Sequence, residues 1–533
     1  MPVRSHRRIT LGALGLLAAS TGALTAPGHA ARGHSALAET APPNVVLIQT
    51  DDQTASQLGA EFMPQTKRLL ARHGTTFTNY IATTSQCCPS RASLLTGQYA
   101  HNHGVTSNRV GYAGLIDKDN VLPVWLREAG YRTIHVGSKY MNGYEGFTEP
   151  STKPAPGWSQ WFTALSSTRY YDYELSNNGR LQHRGRHADD YIGRVLAEEA
   201  VKQIDDAAPR ERPFYVQIDE SAPHGTRQLD PYGHCGHGTS IPDRRYGGAF
   251  AKARLPASPS FDELDMSDKP RFLRLSPRLT RDDRARLLRR WRCALGSLAS
   301  VDRTVREVVD AVKKSGEQSN TVFIYTSDNG LFYGEHRIQR GKVFPYEEAL
   351  KLPLIIKLPG RYRDFAKPEH DIDRVVGNID LAPTILALAG GAPCNSSGEC
   401  RTMDGRSLMP LLQRSGGWSR RGGLLTEYRE PDLPRYSTCE FAGVRTRSEI
   451  YVEHYRVADA TGGTCVDQSP PDAERYDLKS DPFELDNDCF GGSPANCPTD
   501  DTQRKLGARL QELRTCAGVR GRDDQVGDRP FCG

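Results

Sequence analysis

The chain has 533 residues, 37% hydrophobic and 25% charged, enough for one large folded domain with a smaller one beside it. Its 69 Lys and Arg against 64 Asp and Glu give a formal charge of only +5. No basic block interleaved with aromatics occurs, which argues against a nucleic-acid-binding protein and leaves a local anion pocket as the reading of any cationic surface.

In chain order, Arg4, Arg7 and Arg8 precede an apolar run from Leu11 to about Ala26, the pattern of a signal peptide. The Arg7-Arg8 pair has the form of a twin-arginine export signal, and cleavage is placed after Ala36-Leu37-Ala38, making residues 1–38 the leader. At roughly 16 residues the run is short for a membrane span. No later stretch of 18 apolar residues follows, so a secreted mature chain with no membrane span is expected.

Asn44–Thr50 is a mostly apolar run that suits a buried parallel strand, and it ends at Asp51-Asp52. Similar runs occupy Thr133–Val136, Phe214–Ile218, Thr321–Thr326 and Leu354–Leu358. Helical patterns at Leu122–Ala129, Asp190–Ala207 and Arg281–Ser315 separate them. This alternation predicts an α/β domain over residues 39–415, a mostly parallel sheet sandwiched by helices. The stretch from about Gly225 to Asp282 has no clear period and reads as an ordered insertion near the site. Beyond Ser415-Gly416-Gly417 come short β-like runs and a final helix around Thr502–Leu513, a smaller α+β subdomain over residues 416–533 with an antiparallel sheet.

Twelve cysteines occur. With Cys87 and Cys88 set aside, ten remain, and Cys394 with Cys400, Cys439 with Cys465, Cys489 with Cys497, and Cys516 with Cys532 are close pairs. No C-x-x-C pair is present, so the set reads as disulfides in an exported chain and not as a zinc site, though spacing does not set connectivity.

Polar residues collect just past the predicted strands, where open α/β sheets bind ligands. Asp51-Asp52, His224 and Asp328-Asn329 each follow one. Carboxylates and an amide oxygen are hard ligands suited to Ca2+ or Mg2+. Cys87 stands at the mouth of a helix expected to start near Pro89, with Arg91 in its first turn, a ready anion site. Read from the residues alone, Cys87 and Cys88 could equally be ordinary buried or disulfide-bonded thiols.

The segment Cys87-Cys88-Pro89-Ser90-Arg91 through Leu94-Leu95-Thr96-Gly97 resembles the signature of the type I, formylglycine-dependent sulfatase family. Gln86 departs from the aliphatic or small residue usual before the cysteine. Further similar stretches are Asn44–Asp52, Gly130–Tyr140, Pro213–His224, Ser327–Gly330, Gly334–Lys342 and Tyr476–Glu484, covering nearly all the mature chain. The resemblance implies an alkaline-phosphatase-like fold and conversion of Cys87 to formylglycine (3-oxoalanine) by a formylglycine-generating enzyme. It also implies a cation, Ca2+ or else Mg2+, on Asp51, Asp52, Cys87, Asp328 and Asn329. Arg91, Lys139 and Lys342 would bind sulfate, Asp328 would be the base, His224 would protonate the leaving oxygen, and His336 would contact substrate.

Many members carry a histidine where this chain has Met141 in Lys139-Tyr140-Met141-Asn142. That pattern, Tyr99–His103 and Tyr170–Gly179 are similar to the N-acetylglucosamine-6-sulfatase branch, which implies a sulfated amino sugar, free or in a glycan, as substrate. The alternatives are a general arylsulfatase, a phosphodiesterase or phosphonate-ester hydrolase, and a carbohydrate-binding protein with unconverted Cys87. His101 and His103, on the loop after the signature helix, are read as structural or functional at even weight.

Overall fold

The structure, a computed structural model, describes residues 41–144, 152–165, 168–208, 212–233, 235–359, 370–413, 418, 422–430, 437–459 and 462–533. The leader expected over residues 1–38 and the boundary expected at Ser415–Gly417 lie outside the described residues. Within Pro42–Gly533, which forms one compact unit, the strands are β1 (Asn44–Asp51), β2 (Thr75–Phe77), β3 (Tyr80–Ile81), β4 (Arg132–Gly137), β5 (Gln160–Ala164), β6 (Tyr173–Asn177), β7 (Arg180–Arg184) and β8 (Phe214–Pro223). They continue with β9 (Thr321–Ser327), β10 (Leu354–Lys357), β11 (His370–Ile372), β12 (Val376–Gly377), β13 (Leu424–Arg429), β14 (Thr438–Arg445), β15 (Glu449–Ala458) and β16 (Cys465–Asp477).

Ten of these form one sheet in the order β11-β2-β10-β9-β1-β8-β4-β5-β6-β7. The centre, β9-β1-β8-β4-β5, is parallel. β1 shows why its sequence is apolar without alternation. Val45 and Leu47 enter one apolar cluster with the helices Cys87–Thr96, Leu122–Glu128 and Leu381–Ala389. Val46 and Ile48 enter a second cluster with the helices Ile192–Ala207 and Arg281–Lys314. Both faces are covered, as a parallel sheet requires. The long helix starts on a capping box in which Thr280 Oγ1 accepts the Asp283 N–H and Asp283 Oδ2 accepts the Thr280 N–H.

One expected strand runs the other way. β10 pairs antiparallel with β9 and with β2. An apolar run reports burial on both faces and carries no information about direction. The chain from Ser327 to Leu354 holds only a one-turn helix, Glu347–Leu350, and no full crossover helix, so it returns beside β9 reversed.

The C-terminal sheet, β13-β14-β15-β16, is antiparallel throughout, as expected. Leu506, Leu510 and Leu513 of the last helix share an apolar cluster with Leu424, Leu425 and Val444 of that sheet. All four close cysteine pairs are disulfide-bonded, and a fifth bond, Cys235–Cys293, ties the 225–282 insertion to the long helix. Cys87 and Cys88 are free thiols, which removes the reading of them as a disulfide.

Candidate active site

Three parallel strands deliver the site from their carboxyl ends. β1 ends on Asp51, and Asp52 beyond it has φ 74°, a left-handed conformation. β9 is followed by Asp328 and Asn329, and β8 by His224. Facing them is the helix Cys87–Thr96, which starts at Cys87 itself, two residues earlier than expected, so Pro89 lies inside the first turn. The turn before it is clamped from outside: Gln86 Oε1 accepts the Asn108 N–H at 2.6 Å, and Asn108 Oδ1 accepts the Cys88 N–H at 2.8 Å. Gln86, the departure from the family pattern, thus has a local job. On the far side Asn378 donates to Ser90 and accepts the Thr83 N–H.

Cys87 Sγ lies 3.3 Å from Asp51 Oδ1 and 2.7 Å from Lys342 Nζ. The Lys342 ammonium also contacts Asp52 Oδ1 and stands 3.8 Å from Asp51 Oδ1. Lys139 Nζ is 3.2 Å from Asp51 Oδ2. Arg91 reaches three carboxylates: Asp328 at 2.9 Å, Asp219 at 3.3 Å and Asp51 at 3.6 Å. Asn329 donates to Asp52 Oδ1 at 2.7 Å, and His224 Nε2 is 3.7 Å from Asp52 Oδ2. These contacts join every site residue expected from the sequence, His336 excepted, in one network.

His336 stands apart. It is fully buried, its Nδ1 is 2.7 Å from Glu263 Oε2, and its ring stacks on Tyr346 at 4.2 Å. Burial opposes its positive charge, but Glu263 and Glu348 outweigh that and hold it up at about 10. His101 is bound by Glu427 and the Cys516 carbonyl, and His103 by Ser93. Met141 is fully buried in an apolar cluster with Tyr140 and Tyr144, and it offers no base.

Asp219 is a site residue that the motifs do not mark. It belongs to β8, directly after the apolar run Phe214–Ile218, and receives Arg91, His135 at 2.9 Å and Gln217. A carboxylate inside a strand with both faces buried is the signal that could have found it.

The electrostatics follow from crowding. Burial pushes the Asp51 carboxyl up, but Lys139, His224, Lys342 and Arg91 together hold it well below the usual range. Burial and Asp51 lift Asp328 to about 6 against Arg91, Lys342 and Lys139. Burial and Asp51 raise the Cys87 thiol to about 11, so as a plain cysteine it is a protonated, poor nucleophile. Burial, with Lys342 and Lys139, outweighs Asp52 and Asp51 and lowers His224.

The residues fit a divalent cation. Ligand atoms of Asp51, Asp52, Cys87 and His224 lie within 4.8 Å of one another, and Asn329 Oδ1 is buried without a hydrogen-bond partner. Four carboxylates, Asp51, Asp52, Asp219 and Asp328, face three permanent cations, Arg91, Lys139 and Lys342. A divalent ion turns that deficit of one positive charge into an excess of one, which suits a singly charged anion.

The Sulfatase family profile matches residues 43–392, and the profile of the N-sulphoglucosamine sulphohydrolase C-terminal region matches residues 334–515. The chain is 31% identical over 524 residues to N-acetylglucosamine-6-sulfatase of Capra hircus, covering 91% of this chain and 86% of the relative. It is 34% identical over 488 residues to arylsulfatase of Volvox carteri, covering 84% and 71%. A structure solved in complex with its substrate D-glucosamine-2-N,6-O-disulfate matches with TM-score 0.66 at 23% identity, covering 89% of this chain and 97% of the other. The fold is of the alkaline-phosphatase-like class. Within it, this chain belongs to the sulfatase family and is a sulfuric ester hydrolase.

Proposed function

We propose that the enzyme cleaves sulfate monoesters of sulfated amino sugars, N-acetylglucosamine-6-sulfate above all, using formylglycine made from Cys87. The observation that carries the chemistry is the convergence of Cys87 with Asp51, Lys139, Lys342 and Arg91 in one buried cluster. Asp51, Asp52, Asp328 and Asn329 would hold Ca2+, with Mg2+ as the alternative. When bound, that ion supplies Lewis-acid stabilisation of charge on the sulfate oxygens, and the formylglycine hydrate supplies the attacking hydroxyl.

The chain's own residues do the rest. Arg91, Lys139 and Lys342 are preorganised donors for the sulfate oxygens in a site shielded from water. Asp328 would act as the base. His224 protonates the leaving sugar oxygen, and the arriving sulfate anion favours its charged form. Two features support the amino-sugar reading beside the relatives' names. Tyr170, which opens the stretch Tyr170–Gly179, donates its hydroxyl to the His224 carbonyl at 2.7 Å, so that stretch lies against the proposed acid. Met141 keeps its position free of a second histidine.

Five disulfides support an oxidising, extracytoplasmic location, and no helix among the described residues is long and apolar enough to cross a membrane.

The test compares sulfate release from N-acetylglucosamine-6-sulfate and from nitrophenyl sulfate, with peptide mass across residue 87 in the same preparation. Preferred turnover of the sugar, an aldehyde mass, and loss of rate on chelation with recovery in Ca2+ are expected. Preference for the aryl ester overturns the substrate, and active protein with an intact Cys87 thiol overturns the formylglycine.

A further inference from the structure

A second cluster of ligand atoms lies among residues that the proposed mechanism leaves without a task. His336 Nε2, Glu348 and Glu484 each offer one atom, and these atoms all lie within 4.8 Å of one another. Three atoms in this group are buried and make no hydrogen bond, His336 Nε2, Glu348 Oε2 and Glu484 Oε1; the first two face each other as an ion pair, so a bound cation would take the place of the Nε2 proton. Side chains so deeply enclosed rarely leave such atoms unsatisfied, and here the unsatisfied atoms share one small space. His336 is fully buried and Glu484 nearly so.

We propose that His336, Glu348 and Glu484 form a site for a divalent transition-metal cation, Zn2+ foremost, separate from the cluster around Cys87. One imidazole and two carboxylates are a zinc-type donor set, whereas the oxygen-rich cluster around Asp51 suits calcium. His336 Nε2 and Glu348 Oε2 are 3.7 Å apart. That is long for a hydrogen bond but close to the roughly 3.4 Å between two ligands of a tetrahedral ion at about 2.1 Å. The remaining atoms are already committed in the way a ligand's outer contacts are. Glu263 Oε2 takes His336 Nδ1 at 2.7 Å, which points Nε2 into the cluster. Ser260 donates to Glu348 Oε1 at 3.0 Å, and the Glu347 N–H donates to Glu484 Oε2 at 2.9 Å. Glu348 retains 19% side-chain exposure and gives the ion a way in.

The location gives the site a purpose. His336 precedes Lys342 in the same loop, and Glu484 follows β16 of the C-terminal sheet. An ion held by both fastens the C-terminal sheet to the loop that brings Lys342 to Cys87. This inference stands independently of the sulfated substrate, because it concerns ion content and not turnover.

The experiment uses full-length protein in excess Ca2+, dialysed against Zn2+ and analysed for bound metal by mass spectrometry. About one zinc per chain is expected, retained when Asp51→Asn disables the other cluster. Glu263→Gln should weaken zinc binding on the order of 10- to 100-fold, as for loss of an outer partner, and Glu484→Gln should weaken it further. Zinc retained unchanged in Glu484→Gln, or lost in Asp51→Asn while Glu484→Gln keeps it, overturns the proposal. Crystals of the unaltered protein grown with Zn2+ test it without a variant. Anomalous density at His336 Nε2 supports the site, and density only beside Asp51 and Asp52, or none, refutes it.

Discussion

Gln86 and Asn108 are locked to each other: the Gln86 side-chain carbonyl accepts the Asn108 N–H, and the Asn108 side chain accepts the N–H of Cys88. The turn at Cys87 is therefore held by a side chain 20 residues beyond Cys88, and not by the helix alone.

Removing that side chain should separate maturation from catalysis. Asn108→Ala leaves the Cys88 N–H buried and unpaired, a cost of about 1–3 kcal/mol. The thermal unfolding temperature should fall accordingly, and turnover should drop as Cys87 loses its placement. If Cys87 is converted as proposed, the peptide mass at residue 87 should still show the aldehyde in this variant. Unchanged stability and turnover would show the clamp to be idle.

Asp219 stands 3.3 Å from Arg91, an arrangement suited to positioning that guanidinium. Asp219→Asn should lower kcat by roughly 10- to 100-fold, the scale of a small misplacement of a binding group. Arg91→Lys should show the same sign of effect, and the two together should cost less than the sum of both. Fully additive effects in the double variant would mean that Asp219 acts elsewhere.

His101 gives a pH-dependent term in stability. Burial lowers its basicity, yet Glu427 at 2.9 Å outweighs this and raises the histidine to about 9. Its folded value exceeds the unfolded value of about 6.5, so its contribution is complete below pH 6.5 and is lost as pH rises through 9. His101→Ala should therefore cost on the order of 3 kcal/mol at about pH 6 and much less at about pH 10. Chemical denaturation at the two pH values measures this, and an equal loss at both would refute it.

The Cys235–Cys293 disulfide closes a separation of 58 residues. Chain-entropy arithmetic gives about 4 kcal/mol for a loop of that length. Replacing both cysteines by serine should lower the melting temperature more than opening Cys394–Cys400, whose separation is 6. The reverse order would mean that the insertion is held by its packing.

Much of the site is legible in the amino-acid sequence because its pieces are local. Apolar runs mark β1, β4, β8 and β9, and the residues just after three of them are Asp51-Asp52, His224 and Asp328-Asn329. The short outer strands β5, β6 and β7 are not legible in this way, since their sequences mix polar and aromatic residues. Leu181 of β7 is exposed and Glu174 of β6 faces solvent, so no buried run announces those two, while β5 is buried over Trp161–Ala164 but is only five residues long. Asp219 escapes notice because one carboxylate in an apolar strand looks like an interruption until Arg91 and His135 are seen around it.

By itself the sequence determined the chemical parts: the Cys87 segment, the carboxylate pairs, the cations, the paired cysteines and the strands buried on both faces. Those are properties of residue type and spacing, and local physics is enough to produce them. Only the tertiary structure decided which parts meet. Arg91 and Asp328 are 237 residues apart, and Glu484 reaches the neighbourhood of His336 from the other sheet. Both contacts, like the reversed direction of β10, follow from how the layers pack, and periodicity along the chain carries no record of it.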